Sequence, residues 1–307
     1  LLPLIIKKYF IHRNRFINLF SFILRNRLHI MLHTSRYAIH PSQYRTFTTS
    51  QLRENFLIEN IFVQDEISLV YTHYDRLIVG GANPVSKPLT LQTFDSLKAD
   101  FFLQRREIGI INVGGKGTIS VDGTTYTLGN KEALYIGRGS KDVVFHPDQA
   151  TKPLYYFNSA PAHAVYPTRT VTLEQADTVE IGALETSNQR TIRKLLVNSV
   201  LPTCQVQMGL TELKTGSVWN TMPPHTHDRR MEAYFYFNIP DNQTVCHFMG
   251  EPQETRHIWM QNHQAVISPP WSIHSGAGTS NYIFIWGMAG ENLDYSDMDG
   301  VKPTELR

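Results

Sequence analysis

The sequence predicts an all-β protein built as two tandem jelly-roll-like barrels with few short helices. Three observations carry that reading. From about residue 60 the chain is a succession of short runs dense in Val, Ile, Tyr, Phe and Thr, separated by Gly, Asp and Pro, the composition of strands and turns. Asp122-Gly123 stands between two alternating runs, the dipeptide a type I′ hairpin favours because both central residues need positive φ. The same texture returns between Cys204 and Met288, so a second barrel-forming block follows the first.

In chain order, the first block predicts strands over 107–113, 118–121, 124–128 and 133–136. Its Gly114-Gly115-Lys116-Gly117 segment reads as a turn, since it lacks the spacing of a phosphate-binding loop and no helix follows. The second block predicts strands over 205–213, 231–237, 245–249, 255–260, 264–268 and 281–286. Helical periodicity is scarce: 89–94 and 183–196 are the best stretches, with 188–196 open to a turn-rich loop. Residues 161–180, containing Pro161 and Pro167, form the natural connector. The expected domains are therefore 31–165 and 166–307.

The chain has 307 residues and a formal net charge of +2, from 29 Lys plus Arg against 27 Asp plus Glu. Six of the basic residues and no acid lie in residues 1–30, so 31–307 carry 23 basic against 27 acidic groups and are acidic by four. An acidic body argues against a nucleic-acid binder, whose affinity rests on a basic surface. No apolar run approaches the roughly 20 residues a membrane span requires; the longest nearly apolar stretch, 16–24, is flanked by Arg13, Arg15, Arg25 and Arg27. Residues 1–30 read as upstream or added sequence, with Met31 as the start. With Cys204 and Cys246 the only cysteines, a disulfide framework is excluded and the setting reads as reducing and cytoplasmic.

The chemistry concentrates in the second block. His225 and His227 are two apart, so on a strand they share a face and can share a cation. Glu232 lies at an odd offset from them and joins only if the chain turns between, for which Asp228-Arg229-Arg230 is a plausible polar turn. His274 supplies a third imidazole from a segment distant in sequence. Three His and one carboxylate suit Zn²⁺, Mn²⁺, Fe²⁺ or Ni²⁺, and the lack of thiolates disfavours a purely structural zinc. The first block has no His-x-His, and His146 and His163 are isolated, so a second metal is not expected there.

Gly216-x8-His225-x-His227-x4-Glu232 followed by Pro269-x4-His274 resembles the two motifs of the cupin superfamily, with a longer first spacer and with Trp271 where Gly is usual. A narrower resemblance rests on Gly216-Ser217-Val218-Trp219-Asn220-Thr221-Met222-Pro223, Arg229-Arg230-Met231-Glu232, His247-Phe248-Met249-Gly250-Glu251-Pro252 and Pro270-Trp271-Ser272-Ile273-His274. These blocks resemble the 5-dehydro-4-deoxy-D-glucuronate isomerases, also called 4-deoxy-L-threo-5-hexosulose-uronate ketol-isomerases, over essentially the whole body from about Gln51. The resemblance implies a bicupin with one zinc per subunit on His225, His227, Glu232 and His274, assembled as a homo-oligomer, a hexamer. It implies aldose–ketose isomerisation of a small uronate from pectin breakdown. Competing readings are a cupin dioxygenase and a non-catalytic sugar-acid-binding bicupin.

That reaction needs a base and a cation for the substrate carboxylate. Glu232 is weakened as a base if it binds metal, which leaves Glu251, Glu254, His247 and His257 as further candidates. Arg229, Arg230 and Arg256 sit in the motif blocks and offer the bidentate geometry a carboxylate prefers. Trp219, Trp271 and Tyr282 are candidate pocket walls.

Overall fold

The computed structural model describes residues 32–307, of which His33–Arg307 form one unit; the expectation for residues 1–30 lies outside the described residues. Two seven-stranded and two four-stranded antiparallel sheets carry the fold. The first large sheet runs Leu32–Arg36, Ile67–Thr72, Ile78–Ala82, Tyr155–Pro161, Arg106–Asn112, Ala133–Ile136, Arg169–Val171, and its small partner Leu89–Thr90, Val143–Phe145, Gly117–Val121, Thr124–Leu128. The second large sheet runs Asp177–Ile181, Arg190–Leu196, Gln207–Leu213, Ile283–Gly290, Arg230–Phe237, Gln264–Ser268, Leu57–Ile58, and its small partner Trp219–Asn220, Ser275–Gly278, Val245–Glu251, Glu254–Met260. Apart from the last strand of each large sheet, the two lobes repeat one strand order, the duplication that the recurring texture predicts.

The lobes do not follow the sequence halves. Leu57–Ile58, from the first half, closes the edge of the second large sheet beside Gln264–Ser268, while Arg169–Val171, inside the expected connector, pairs with Ala133–Ile136 of the first. Each edge strand covers backbone groups that would otherwise be a template for pairing.

The two large sheets pack back to back. Val70, Val79, Ile111 and Tyr156 of one share a core with Met208, Leu210, Phe235 and Ile285 of the other, and the rings of Tyr156 and Phe235 stack at 4.5 Å. Glycine permits the approach at Gly287, where an added Cβ would lie 1.9 Å from Asn158 Oδ1. Antiparallel strands usually leave one face in water, but here both faces are covered, and Arg230–Phe237 is buried along its whole length. Its alternate residues divide accordingly: Met231, Ala233, Phe235 and Phe237 enter the core between the sheets, whereas Tyr234 and Tyr236 enter the interior of the second lobe.

A buried carboxylate also ties the lobes. Glu107 accepts hydrogen bonds from the backbone N–H groups of Cys204 (2.7 Å), Gln205 (2.6 Å) and Val206 (2.7 Å) and from the Tyr135 hydroxyl (2.6 Å). It fixes the segment leading into Gln207–Leu213 against the first large sheet.

Most expected strands form within one or two residues, and the Asp122-Gly123 turn has positive φ at both residues, 46° and 85°. The helical expectations do not hold. In 89–94 the chain makes the strand Leu89–Thr90, with Leu89 and Leu91 buried on either side of exposed Thr90, a period of two. In 183–196 a turn is followed by the strand Arg190–Leu196. The α-helices among the described residues are Pro41–Tyr44 and Thr49–Phe56, which pack Tyr44, Leu52 and Phe56 onto the second lobe. Thr48 and Gln51 form a reciprocal capping box at the second of them, a pattern readable in sequence. Among the described residues no helix is long and apolar enough to cross a membrane.

Candidate metal centre

Local chain geometry explains how the four expected side chains meet. His225 lies in a two-residue strand, His225–Thr226, paired with Asp299–Gly300. The chain then turns through Asp228 and Arg229 before entering Arg230–Phe237. The turn brings Glu232 round to the imidazoles despite its odd offset, and Glu232 falls in register with Ser268 and Met288. His274 immediately precedes the strand Ser275–Gly278.

Among the described residues, His225, His227, Glu232 and His274 form the one group of three or more His, Cys, Asp or Glu side chains close enough to share an ion, with one ligand atom from each lying within 4.8 Å of all the others. Glu232 Oε2 lies 2.9 Å from His274 Nε2 and 3.2 Å from His227 Nε2, and His274 Nε2 lies 3.0 Å from His225 Nε2. The Arg230 carbonyl sits 3.3 Å from His227 Nδ1. A carbonyl only accepts, so Nδ1 donates to it and Nε2 is turned to the cluster, the orientation a ligating imidazole needs. That nitrogen and a carboxylate oxygen converge at 3.2 Å, where the two could share a cation.

The electrostatics agree. Burial, reinforced by the neighbouring His274, pushes His225 far below the usual imidazole range, so it is neutral. Burial acts to raise the Glu232 carboxyl, but His274 and His227 outweigh it and hold the group below the usual carboxylate range, ionised. Three imidazoles and one ionised carboxylate, all nitrogen and oxygen, fit a divalent transition metal.

The other expected residues are distributed more widely. His247 enters the interior of the same lobe, fully buried, with Nδ1 2.8 Å from the Tyr236 hydroxyl and Nε2 without a partner; burial pushes it down to about 3. Glu251 is held by Arg45 at 2.6 Å, Glu254 by Arg256 at 2.8 Å, and His257 is exposed beside Trp259. Among the arginines, Arg229 pairs with Glu291 at 2.5 Å on the surface, and Arg230 is buried with its guanidinium on the carbonyls of Asp294 and Asp297. Arg256 reaches the Arg45 carbonyl. Trp271 stacks on Tyr44 and meets Phe56 edge-on, Trp219 stacks on Phe248, and Tyr282 receives a hydrogen bond from Asn220.

Sequence reading did not single out Tyr234, whose ring lies edge-on to His274 at 5.3 Å and whose hydroxyl meets Thr221 Oγ1 at 2.8 Å. It also passed over Gln207 and Ser268, which share a cross-strand row with Glu232 through Met288. Both side chains are buried with polar atoms lacking partners. Their signal is polarity at inward positions of otherwise apolar strands.

Comparison with known proteins matches residues 57–300 to the model of the KduI/IolB family. The chain is 63% identical over 274 residues to the 4-deoxy-L-threo-5-hexosulose-uronate ketol-isomerase of Formosa agariphila, covering 89% of this chain and 98% of that one. A solved IolB-like protein from Salmonella typhimurium superposes with a TM-score of 0.67 at 16% identity, over 80% of this chain and 97% of that one. Oxalate decarboxylase of Bacillus subtilis superposes with a TM-score of 0.52 at 9% identity, over 73% and 71%, a likeness of fold alone that agrees with the duplicated cupin architecture. With the family match spanning residues 57–300 and 63% identity extending over 274 residues of a relative, this chain belongs to the KduI/IolB family.

Proposed function

We propose that this protein is a metal-dependent ketol-isomerase that converts 5-dehydro-4-deoxy-D-glucuronate to 3-deoxy-D-glycero-2,5-hexodiulosonate in the cytoplasmic breakdown of pectin-derived uronates. The observation that carries the reading is identity of 63% along nearly the whole length of a relative bearing that isomerase name. The convergent cluster of His225, His227, Glu232 and His274 supports it, as the holder of one zinc ion per subunit or of Mn, Fe or Ni in its place. Hexameric assembly belongs to the same reading.

A divalent ion held there would polarise the substrate carbonyl and its neighbouring hydroxyl and stabilise charge developing on oxygen. The chain's own residues supply the rest. The Arg230 carbonyl orients His227, and Tyr234 packs against His274. Phe284, Trp286 and Met288 line the apolar interior, where exclusion of water strengthens electrostatic interactions. His247 is the base candidate inside this lobe, and Gln207 and Ser268 place polar side chains in the cross-strand row of Glu232.

The test is proton NMR of an unsaturated-galacturonate lyase digest incubated with metal-replete protein. The 5-keto-4-deoxyuronate signals should give way to those of the 2,5-diketo product without uptake of oxygen. Unchanged signals would refute the isomerase reading, and oxygen uptake with iron present would favour a dioxygenase.

A further inference from the structure

We propose that Arg190 is the cation that receives the substrate carboxylate, set apart from the imidazole cluster with Tyr234 between them. The inference rests on the uronate reading above, and it names a residue outside the motif blocks.

Arg190 opens the strand Arg190–Leu196 and lies directly across from Leu213. Cross-strand partners share a face, and Leu213 belongs to the apolar interior of the second lobe, so Arg190 faces inward as well. Its neighbour Thr191 bonds Glu180. Arg190 is only 9% exposed. One hydrogen bond, from Nη1 to the Asn188 carbonyl at 2.7 Å, holds it, and among the described residues no carboxylate pairs with it.

That is an unusual state for a buried guanidinium, which carries five N–H donors and is rarely buried without a partner. The two other arginines buried as deeply make more bonds: Arg106 three, to Ser159 Oγ and the carbonyls of Arg76 and Ser159, and Arg230 two, to the carbonyls of Asp294 and Asp297, with its Nε unpartnered. No nitrogen of Arg190 is among the sealed, unpartnered polar atoms, so its free donors face space that solvent reaches. Burial lowers its pKa, and the opposing influence comes from Tyr234, Tyr282 and Tyr295 rather than from a carboxylate.

The surroundings connect this cation to the cluster. The guanidinium lies within electrostatic reach of Tyr234, Tyr282 and Tyr295, and the Tyr234 ring packs on His274. A six-carbon uronate carries its carboxylate about 6 Å from the reacting end, at about 1.5 Å per carbon–carbon bond. It therefore needs a cation that is not itself tied to the metal ligands. Arg190 meets that requirement, and its planar fork matches a carboxylate.

The test uses full-length holoenzyme carrying Arg190→Met or Arg190→Lys. Steady-state kinetics on the lyase product are measured beside calorimetric binding of D-glucarate, a linear diacid, and sorbitol, its neutral counterpart. Loss of two charge-assisted hydrogen bonds predicts a KM raised about 100-fold in Arg190→Met, with kcat changed far less and metal content unchanged. Arg190→Lys should recover part of the loss. Glucarate binding should weaken in parallel, and sorbitol binding should not. A KM and glucarate affinity within twofold of the unmodified protein in Arg190→Met would overturn the proposal. If Arg190→Met does not fold, glucarate affinity in Arg190→Lys decides, and an unchanged value overturns it. Unmodified protein that binds glucarate but leaves the uronate unchanged would refute the isomerase reading, and the glucarate comparison would still decide the role of Arg190.

Discussion

His227→Ala is expected to purify without its divalent ion and to lose turnover by about 10³-fold or more. His227 is 3% exposed, its Nδ1 is anchored on the Arg230 carbonyl at 3.3 Å, and its Nε2 lies 3.2 Å from Glu232. Alanine removes a donor that no neighbouring side chain replaces, and it leaves Glu232 buried with only His274 at hydrogen-bond distance, 2.9 Å away. Elemental analysis of the purified variant, read beside its turnover and melting temperature, separates loss of the ion from loss of the fold. A folded His227→Ala protein that keeps one ion per chain and normal turnover would remove His227 from the site.

Glu107→Ala should be the most destabilising single change away from the cluster. The carboxylate is fully buried and accepts four hydrogen bonds of 2.6–2.7 Å, three of them from consecutive backbone N–H groups at Cys204, Gln205 and Val206. Alanine strands all four donors away from water, at roughly 1–3 kcal/mol for each one left unsatisfied. With partial relaxation and water entry, a loss of about 3–5 kcal/mol is expected, against a typical total stability of about 5–15 kcal/mol. For a chain of this size that lowers the melting temperature by roughly 10 °C. Differential scanning calorimetry measures it; a shift under 2 °C would mean that the segment entering Gln207–Leu213 is held by other contacts.

The all-β character and the duplication were legible because strand-forming residues cluster between strong turn signals, as at Asp122-Gly123. The cluster was legible too: His-x-His and the polar turn before Glu232 are local features, and His274 sits in a motif of its own. What escaped notice depended on packing between distant segments. Leu57–Ile58 carries no sign that it will pair with Val266 and Ala265, and Arg190–Leu196 reads as ambiguous because its inward and outward residues are fixed only by the sheet that covers them. Leu89–Phe94 was too short for its period to distinguish strand from helix. The helix Thr49–Phe56 was signalled by Thr48 and Gln51, but it lies before the β-rich region that dominates the pattern. The arginines near the motifs drew attention because they were near in sequence, whereas burial and hydrogen bonding engage Arg230 elsewhere and leave Arg190 facing the interior.

The most direct test of the central claim is to strip the protein with chelator, return zinc in measured steps and follow isomerisation of the uronate by NMR at each step. The cluster of His225, His227, Glu232 and His274 predicts that turnover vanishes on stripping and rises linearly to a plateau at one ion per chain. Metal-free protein that isomerises the substrate at the untreated rate would contradict it.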